Sequence, residues 1–479
     1  MDVLEVFRPV FTAPSFATFQ LLMAGWIVSH RHRYVTDLIV SSDSVENGHF
    51  SDYHRFFSQA SWKIDDLWKL LARALVSALV DPDCTIILAG DDTLCRKRGL
   101  GLFGAGMHHD PLCSSRKLKV FNWGHDWVTL SLIVANPWWA PGKVFALPIC
   151  MRLYRNRQGL TKGKNKPSRG TKKKAAPSTK RQRKQAKRQA RKQRRAAARR
   201  AKTATTPEKK HVTRPELMRE MLQLVASWFP EHRLLFLGDS LYTGESVLRF
   251  LPDNVDMIGA VHPQGALYEP APPKKPGRGA ARKKGKRLPT REQWAASSTP
   301  WTPVSFDQFG LHGEFAIKTR RGLYYKAGRD RLLQFVLSRD TQGQRPTQIF
   351  YCTNLELAPR EILSRFSYRW SIEVTHHDAK QFLGLEDPAN RVPLAVERTA
   401  PMAMFLYSLT VLWYSQHGHQ HLRFPNRPWY RGKSEPSFAD MLTTLRRVSW
   451  ENQFRQVRKQ PTLWNKTVER LTYLATLAG

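Results

Sequence analysis

Two aspartates each follow a short apolar run, and both could take part in chemistry. Asp91 comes just after the run 84–89, and Asp239 comes just after the run 233–238. Such runs are typical of buried strands, and ligands of open α/β sheets bind at the carboxyl ends of the strands. Aspartate is also a common turn former at such positions. Each residue therefore becomes informative only together with partners.

A third group lies around Trp370, in a segment with helical periodicity. Four polar residues recur there at spacings of three and four and share one narrow face of a helix: Arg369, Glu373, His376 and Lys380. An adjoining apolar face would pack against a sheet, and it consists of Ile372, Ala379 and Leu383. The ordinary alternative is a surface ion pair between Arg369 and Glu373, which are four residues apart.

Three carboxylates from two strand ends and one helix suit metal-dependent phosphate chemistry. Asp91, Asp239 and Glu373 are the candidate catalytic residues and the candidate ligands of two Mg²⁺ ions, for which Mn²⁺ would substitute. Such ions activate an attacking oxygen and stabilise a leaving one. Asp92 directly follows Asp91, and spacing alone does not decide between the two.

The basic residues on the same helical face suit a bound nucleic-acid strand. Arg369 and Lys380 would hold its phosphates, Arg through a planar fork and Lys as a point charge. His376 would contact a phosphate or a water, or would be an ordinary polar histidine at the surface. All three are candidate DNA-binding residues.

The charge of the whole chain points to the same kind of partner. Its 479 residues include 77 Lys and Arg against 39 Asp and Glu, a net charge of +38, which favours nucleic acid over an anionic membrane surface. Most of that charge lies in two runs without an acid, with 20 basic residues in 162–202 and 8 in 274–287. Neither run can build a core. We expect the segment 180–202 to be largely unfolded when free; on DNA it could become helical, and the alternative is a solvated, non-specific basic arm.

The remaining sequence predicts a layered α/β protein with helical regions at both ends. Its segments are a helical N-terminal region (1–82), the first part of an α/β core (83–262, with a basic insertion at about 160–207), a β-leaning segment (263–355), the helix that bears Glu373 (356–398) and a helical C-terminal region (399–479). The apolar stretch 16–28 is shorter than the ~20 residues of a membrane span, so we expect a buried helix and a soluble protein. The five cysteines form no CxxC pair, which fits a reducing compartment.

These residues together resemble a known family, the DDE transposases of bacterial insertion sequences. The motifs that carry the resemblance are Asp91-x-Thr93, Asp239-Ser-Leu-Tyr242 and Arg369-x3-Glu373-x6-Lys380. They are most similar to the cut-and-paste group with the signature Tyr-x2-Arg-x3-Glu-x6-Lys. Phe366 stands at the tyrosine position, and Tyr368 follows two residues later. The resemblance covers residues 50–400, and its Asp-x-Thr pattern favours Asp91 over Asp92.

The resemblance implies a ribonuclease-H-like catalytic core with a β-strand insertion domain. It implies that the N-terminal region binds DNA and that the C-terminal region mediates dimerisation. The expected function is that of a transposase, which binds terminal inverted repeats, cleaves phosphodiester bonds at the transposon ends and joins 3′-hydroxyls to target DNA. A homodimeric synaptic complex at the nucleoid, in the bacterial cytoplasm, is expected. The alternatives are a non-catalytic DNA-binding or regulatory protein on this fold, and a stand-alone nuclease.

Three other patterns favour structural roles. The sequence 99–104 matches GxGxxG, but it does not open a helix directly after a strand, so we expect a loop. The group 108–113 contains two histidines, an aspartate and a cysteine at spacings that fit no standard zinc site. Trp294 and Trp301 could stack on a base, although core packing is the commoner role of a tryptophan.

Overall fold

The computed structural model describes residues 2–29, 32–115, 117–156, 211–274, 281–308, 311–424 and 432–476. The first basic run, with the segment 180–202, lies outside these described residues, and the second run lies partly outside them. Among the described residues, no helix combines the length and the apolar character that crossing a membrane requires.

The N-terminal region is helical, as the sequence predicts. It comprises a 3₁₀ helix, Asp2–Val10, and four α-helices: α1 (Ala13–Val28), α2 (Val35–Ser41), α3 (Phe50–Ser58) and α4 (Ile64–Leu79). The predicted buried helix at 16–28 is confirmed, because α1 buries Phe16, Phe19 and Trp26. Phe7 and Phe19 both pack edge-on against Phe405 from the C-terminal half of the chain, so the two ends of the sequence share one core.

Ten strands form a single mixed sheet: β1 (Ile86–Arg96), β2 (Gly106–His109), β3 (Phe121–Ala135), β4 (Val144–Tyr154), β5 (Leu234–Gly238), β6 (Val255–Ala260), β7 (Thr302–Gln308), β8 (Leu311–Gly322), β9 (Leu333–Asp340) and β10 (Gln348–Cys352). β1 pairs antiparallel with β3 and parallel with β5, β3 pairs antiparallel with β4, and β5 pairs parallel with β6. This pairing agrees with the predicted α/β, ribonuclease-H-like core.

Strands β7 to β10 lie within the segment 263–355. They are antiparallel to one another, and β10 pairs with β6, so they continue the core sheet. Trp294 is buried in this part of the chain, and Trp301 packs beneath the cations of Lys318 and Arg339. Both tryptophans therefore have packing roles. The domain boundaries proposed from the sequence stay predictions.

Nine further α-helices surround the sheet among the described residues: α5 (Arg214–Trp228), α6 (Glu245–Leu248), α7 (Arg291–Ala296), α8 (Tyr325–Gly328), α9 (Pro359–Ser367), α10 (Ser371–Leu383), α11 (Pro393–Gln416), α12 (Phe438–Val457) and α13 (Pro461–Thr476). A capping box at Thr213 and Glu216 starts α5. Glycine in the left-handed region at Gly384 ends α10. The long helix α11 is buried for most of its length against α4, β4 and α10.

Candidate active site

The pairing of β1 with β5 brings Asp91 and Asp239 together. Asp239 directly follows β5, as predicted. The prediction that Asp91 ends a strand is wrong, because β1 continues to Arg96 through its pairing with β3. Gly90 pairs with Gly238, and Asp91 and Asp239 are the next residues of the two strands. A Cβ atom at Gly90 would lie 2.4 Å from Cε of Met218 in α5. Glycine at this position therefore lets α5 pack closely on β1 beside the two acids.

The alternation of side chains along β1 separates Asp91 from Asp92. Residues two apart on a strand share a face, so Asp91 lies on the face of Ala89, which packs in the same apolar cluster as Ile372 of α10. Asp92 lies on the face of Gly90, which packs against Met218 of α5. The structure thus places Asp91 on the face of the sheet that α10 covers, with Arg369 and Glu373. Asp92 lies on the opposite face.

Arg369 joins the strand to the helix. It belongs to the 3₁₀ turn Tyr368–Trp370, which leads directly into α10. Its Nη1 donates to Oδ2 of Asp91 at 2.9 Å, and its Nη2 lies 3.9 Å from Oε1 of Glu373. The side chains of Arg369 and Asp91 are 15% and 18% exposed, whereas that of Glu373 is 45% exposed. The guanidinium therefore bridges a shielded carboxylate and an accessible one.

Lys380 contacts β1 further along the same face. Its Nζ donates to the backbone oxygen of Leu94 at 2.7 Å and lies 3.5 Å from Oε1 of Glu386. Arg369 and Lys380 therefore both contact β1, three residues apart on that strand and eleven apart on the helix side. Arg369 and Lys380 thus lie on one side of this segment, as their spacing predicts, but both side chains contact β1.

His376 lies between them and is buried, so the expectation of a surface histidine is wrong. Its Nε2 has no hydrogen-bond partner among the described residues. Burial, and secondarily Lys380, lowers the pKa of His376 to about 3, which keeps the ring neutral. The reason is the orientation of α10: Thr375 donates to the backbone oxygen of Ala146 in β4 at 2.7 Å, which turns this face onto the sheet. The predicted burial of Ile372, Ala379 and Leu383 is confirmed.

Asp239 shapes the turn that follows β5. Its Oδ1 accepts hydrogen bonds from the backbone N–H groups of Leu241, at 2.9 Å, and Tyr242, at 3.2 Å. Its backbone oxygen accepts from the hydroxyl of Thr243 at 2.7 Å. The carboxylate is thus held by the local backbone beside the middle of β1, one residue beyond the pair Gly90–Gly238.

Residues 7–310 match the family described as DDE superfamily endonuclease, a range that covers more than half of the chain. The chain belongs to the DDE superfamily of endonucleases. No curated protein matches its sequence. Membership in the superfamily implies a metal-dependent nuclease with a ribonuclease-H-like fold. The matched range contains Asp91 and Asp239 and ends before Glu373.

The two acids in the middle of β1 of this DDE endonuclease both have raised pKa values. Burial raises the pKa of Asp91 to about 7. Arg369 and the backbone N–H of Asp92 oppose that shift, and the charges of Asp92 and Asp239 add to it. Burial also raises the pKa of Asp92. The negative charges of Asp92 and Asp239 thus disfavour ionisation of Asp91, and a divalent cation would relieve this repulsion.

The three predicted ligands offer the type of donor atom that a divalent metal ion requires. Their donors are all carboxylate oxygens, which Mg²⁺ prefers. However, no three His, Cys, Asp or Glu side chains anywhere in the described part of the chain stand close enough together to hold an ion. The guanidinium of Arg369 lies against Asp91 and near Glu373. Metal binding by these acids would require Arg369 to release Asp91.

A second polar network, which the sequence analysis missed, lies on the opposite face of the sheet. Arg214 at the start of α5 donates to Oδ2 of Asp126 through Nε and Nη2, and its Nε lies 3.6 Å from Oδ2 of Asp92. Tyr242 donates to Oδ1 of Asp92 at 2.5 Å. The ring of His108 lies 3.4 Å from Asp126, and burial lowers the pKa of His108 to about 4. The sequence had drawn attention to Asp92, Tyr242 and His108 separately, but not to Arg214 or Asp126, which connect them.

Proposed function

We propose that this DDE endonuclease is a DNA transposase of the Tyr-Arg-Glu-Lys type. The observation that carries the proposal is the bridge from Asp91 through Arg369 to Glu373, one residue beyond the pairing of β1 with β5 that also positions Asp239. It links all the motifs of the family resemblance in one place. The same arrangement favours Asp91 over Asp92 as the first acid.

Asp91, Asp239 and Glu373 would hold Mg²⁺, or Mn²⁺ in its place. The metal supplies activation of the attacking oxygen and stabilisation of the leaving oxygen in phosphodiester cleavage. The sheet fixes the two aspartates, whereas Glu373 lies on the exposed side of α10 and can adjust. The proposed site would therefore have two rigid ligands, the aspartates, and a third ligand, Glu373, that can move to complete it.

Arg369 and Lys380 would position the strand that is cut. Once released from Asp91, the guanidinium of Arg369 would hold a phosphate through two parallel hydrogen bonds. Lys380 carries a third N–H that can reach a phosphate while the other two contact Leu94 and Glu386. The surrounding positive charge of the chain would retain the DNA non-specifically.

The substrates would be double-stranded DNA with terminal inverted repeats, and target DNA. A transposase must process two ends together, so a homodimer would form in the synaptic complex, at the bacterial nucleoid. The helical C-terminal region, α11 to α13, is the proposed dimerisation region. The helical N-terminal region, α1 to α4, is the proposed DNA-binding region.

The test is incubation of the full chain with Mg²⁺ and linear DNA that carries the sequences flanking its own gene. Nicks confined to the element ends, absent with scrambled ends or with EDTA, would support the proposal. A supercoiled target plasmid added to the same reaction should acquire joined ends. Nicking without joining would indicate a stand-alone nuclease, and binding without nicking in Mg²⁺ or Mn²⁺ would indicate a non-catalytic DNA-binding protein.

A further inference from the structure

The turn after β5 is tied to β1 by a single buried side chain, Tyr242. Its hydroxyl donates to Oδ1 of Asp92 at 2.5 Å, and its backbone N–H donates to Oδ1 of Asp239 at 3.2 Å. The side chain is fully buried. One residue therefore contacts an acid on β1 and an acid after β5.

The contact with Asp92 extends to Asp91 through the backbone. The N–H of Asp92 donates to Oδ1 of Asp91 at 2.8 Å. Asp92 is also held from α5, where Nε of Arg214 lies 3.6 Å from its Oδ2. The orientation of the peptide between Asp91 and Asp92 thus depends on Tyr242 and Arg214, which contact the Asp92 side chain on the opposite face of the sheet.

We infer that Tyr242 is a positioning residue, which fixes Asp91 and Asp239 relative to each other for metal binding. The inference rests on the proposed function, because it takes these two acids as metal ligands. Without the hydroxyl, the Asp92 side chain keeps only the more distant contact with Arg214 and can reorient. The backbone N–H of Asp92, which donates to Asp91, then loses its fixed direction. Groups that orient metal ligands from outside typically change metal affinity ~10–100-fold when they are lost.

A second buried tyrosine contacts the same turn from a neighbouring strand and is available for comparison. Tyr351 of β10 is fully buried, and its hydroxyl donates to the backbone oxygen of Thr243. Tyr351 holds the turn without touching an acid. Replacing either tyrosine by phenylalanine removes one buried hydroxyl next to residues 242–243, so the two variants differ chiefly in whether Asp92 loses its donor.

The experiment compares Tyr242→Phe with Tyr351→Phe in the full chain. The Mg²⁺ concentration that half-saturates cleavage is measured with pre-bound transposon-end DNA. The rise of the melting temperature with added Mn²⁺ is measured separately, without DNA, and needs no activity. We expect Tyr242→Phe to need ~10-fold more metal in both titrations, and Tyr351→Phe to stay within about twofold of wild type.

A double-mutant cycle with Asp92→Asn supplies a second line of evidence, and Asp92→Asn by itself tests the same hydrogen bond if Tyr242→Phe fails to fold. If the hydroxyl acts through Asp92, the double variant should be no worse than Asp92→Asn by itself. Metal titrations of Tyr242→Phe that match wild type, or an equal defect in Tyr351→Phe, would overturn the inference while wild-type cleavage leaves the proposed function intact. Absence of both cleavage and metal response in the wild type would overturn both.

Discussion

Arg369 and Asp91 form a shielded ion pair, with 2.9 Å between Nη1 and Oδ2 and less than a fifth of either side chain exposed. The pair connects the turn before α10 to β1, elements that are far apart in the sequence. Burial, and to a lesser extent the charges of Asp92 and Asp239, raise the pKa of Asp91, and the guanidinium of Arg369 opposes that shift. A bound metal ion would replace Arg369 as the partner of Asp91, and a DNA phosphate would replace Asp91 as the partner of Arg369.

Substitution of any of the three acids should abolish cleavage and leave DNA binding nearly unchanged. The variants are Asp91→Ala, Asp239→Ala and Glu373→Ala, and the reason is that metal-dependent phosphate chemistry needs every ligand, whereas end recognition uses other surfaces. Nicking and gel-shift assays on the same end DNA measure the two properties. The matched control is Asp307→Ala at an exposed position on β7. Near-normal nicking by Glu373→Ala would show that α10 has been misassigned.

Asp91→Asn should make the protein more stable at pH 8 and leave its stability unchanged near pH 4. The pKa of Asp91 is raised to about 7 in the folded protein, against an unfolded value of about 3.9. The folded state therefore binds this proton more tightly, and the free energy of unfolding falls as the pH rises between the two values. Asparagine mimics the protonated carboxyl and avoids a loss of about 2–4 kcal/mol at pH 8.

Urea unfolding of wild type and Asp91→Asn between pH 4 and 8 measures this difference. Asp307→Asn should follow the wild-type curve, since its side chain is 83% exposed. Parallel curves for wild type and Asp91→Asn across the whole range would show that the folded protein does not penalise the charged form of Asp91.

Arg369→Lys should slow cleavage by about tenfold or more, because a loss of ~1.4 kcal/mol in the transition state has that effect. Lysine keeps the charge but cannot bridge Asp91 and Glu373, nor hold a phosphate with two parallel bonds. Single-turnover cleavage of a pre-bound end, with the melting temperature recorded in parallel, separates catalysis from folding. The control is Arg365→Lys in the i,i+4 pair with Glu361 on α9. Equal rates for both variants would leave Arg369 as an ordinary ion-pairing residue.

Removal of residues 162–202 should weaken DNA binding at low salt and flatten its salt dependence. Each phosphate contact contributes about 0.9 to the slope of log K against log salt. If a quarter of the 20 basic residues contact DNA, the slope should change by roughly 4 to 5. A variant with the run shuffled but its charge intact should keep the wild-type slope. An unchanged slope after the deletion would mean that the run does not contact DNA in the complex.

The sequence by itself determined the elements and the types of residue that they carry. Apolar runs before Asp91 and Asp239 predict buried strands, because a buried strand needs continuous apolar side chains. The strand end was predicted correctly only at Asp239, since pairing with β3 carries β1 past Asp91 to Arg96. Spacings of three and four predict the shared face of Arg369, Glu373 and Lys380, because helical geometry is local. The helical N-terminal region followed for the same reason.

The tertiary structure decided which faces these elements turn towards one another. Neighbouring residues on a strand point to opposite sides, so Asp91 could be separated from Asp92 only once Arg369 was found against Asp91 and Arg214 of α5 near Asp92. His376 was buried by the rotation of α10 onto β4, which its own spacing does not specify. Tyr242 and Asp92 are 150 residues apart, and only the parallel pairing of β1 with β5 brings them together. Such contacts depend on packing between distant segments, which local periodicity in the sequence cannot predict.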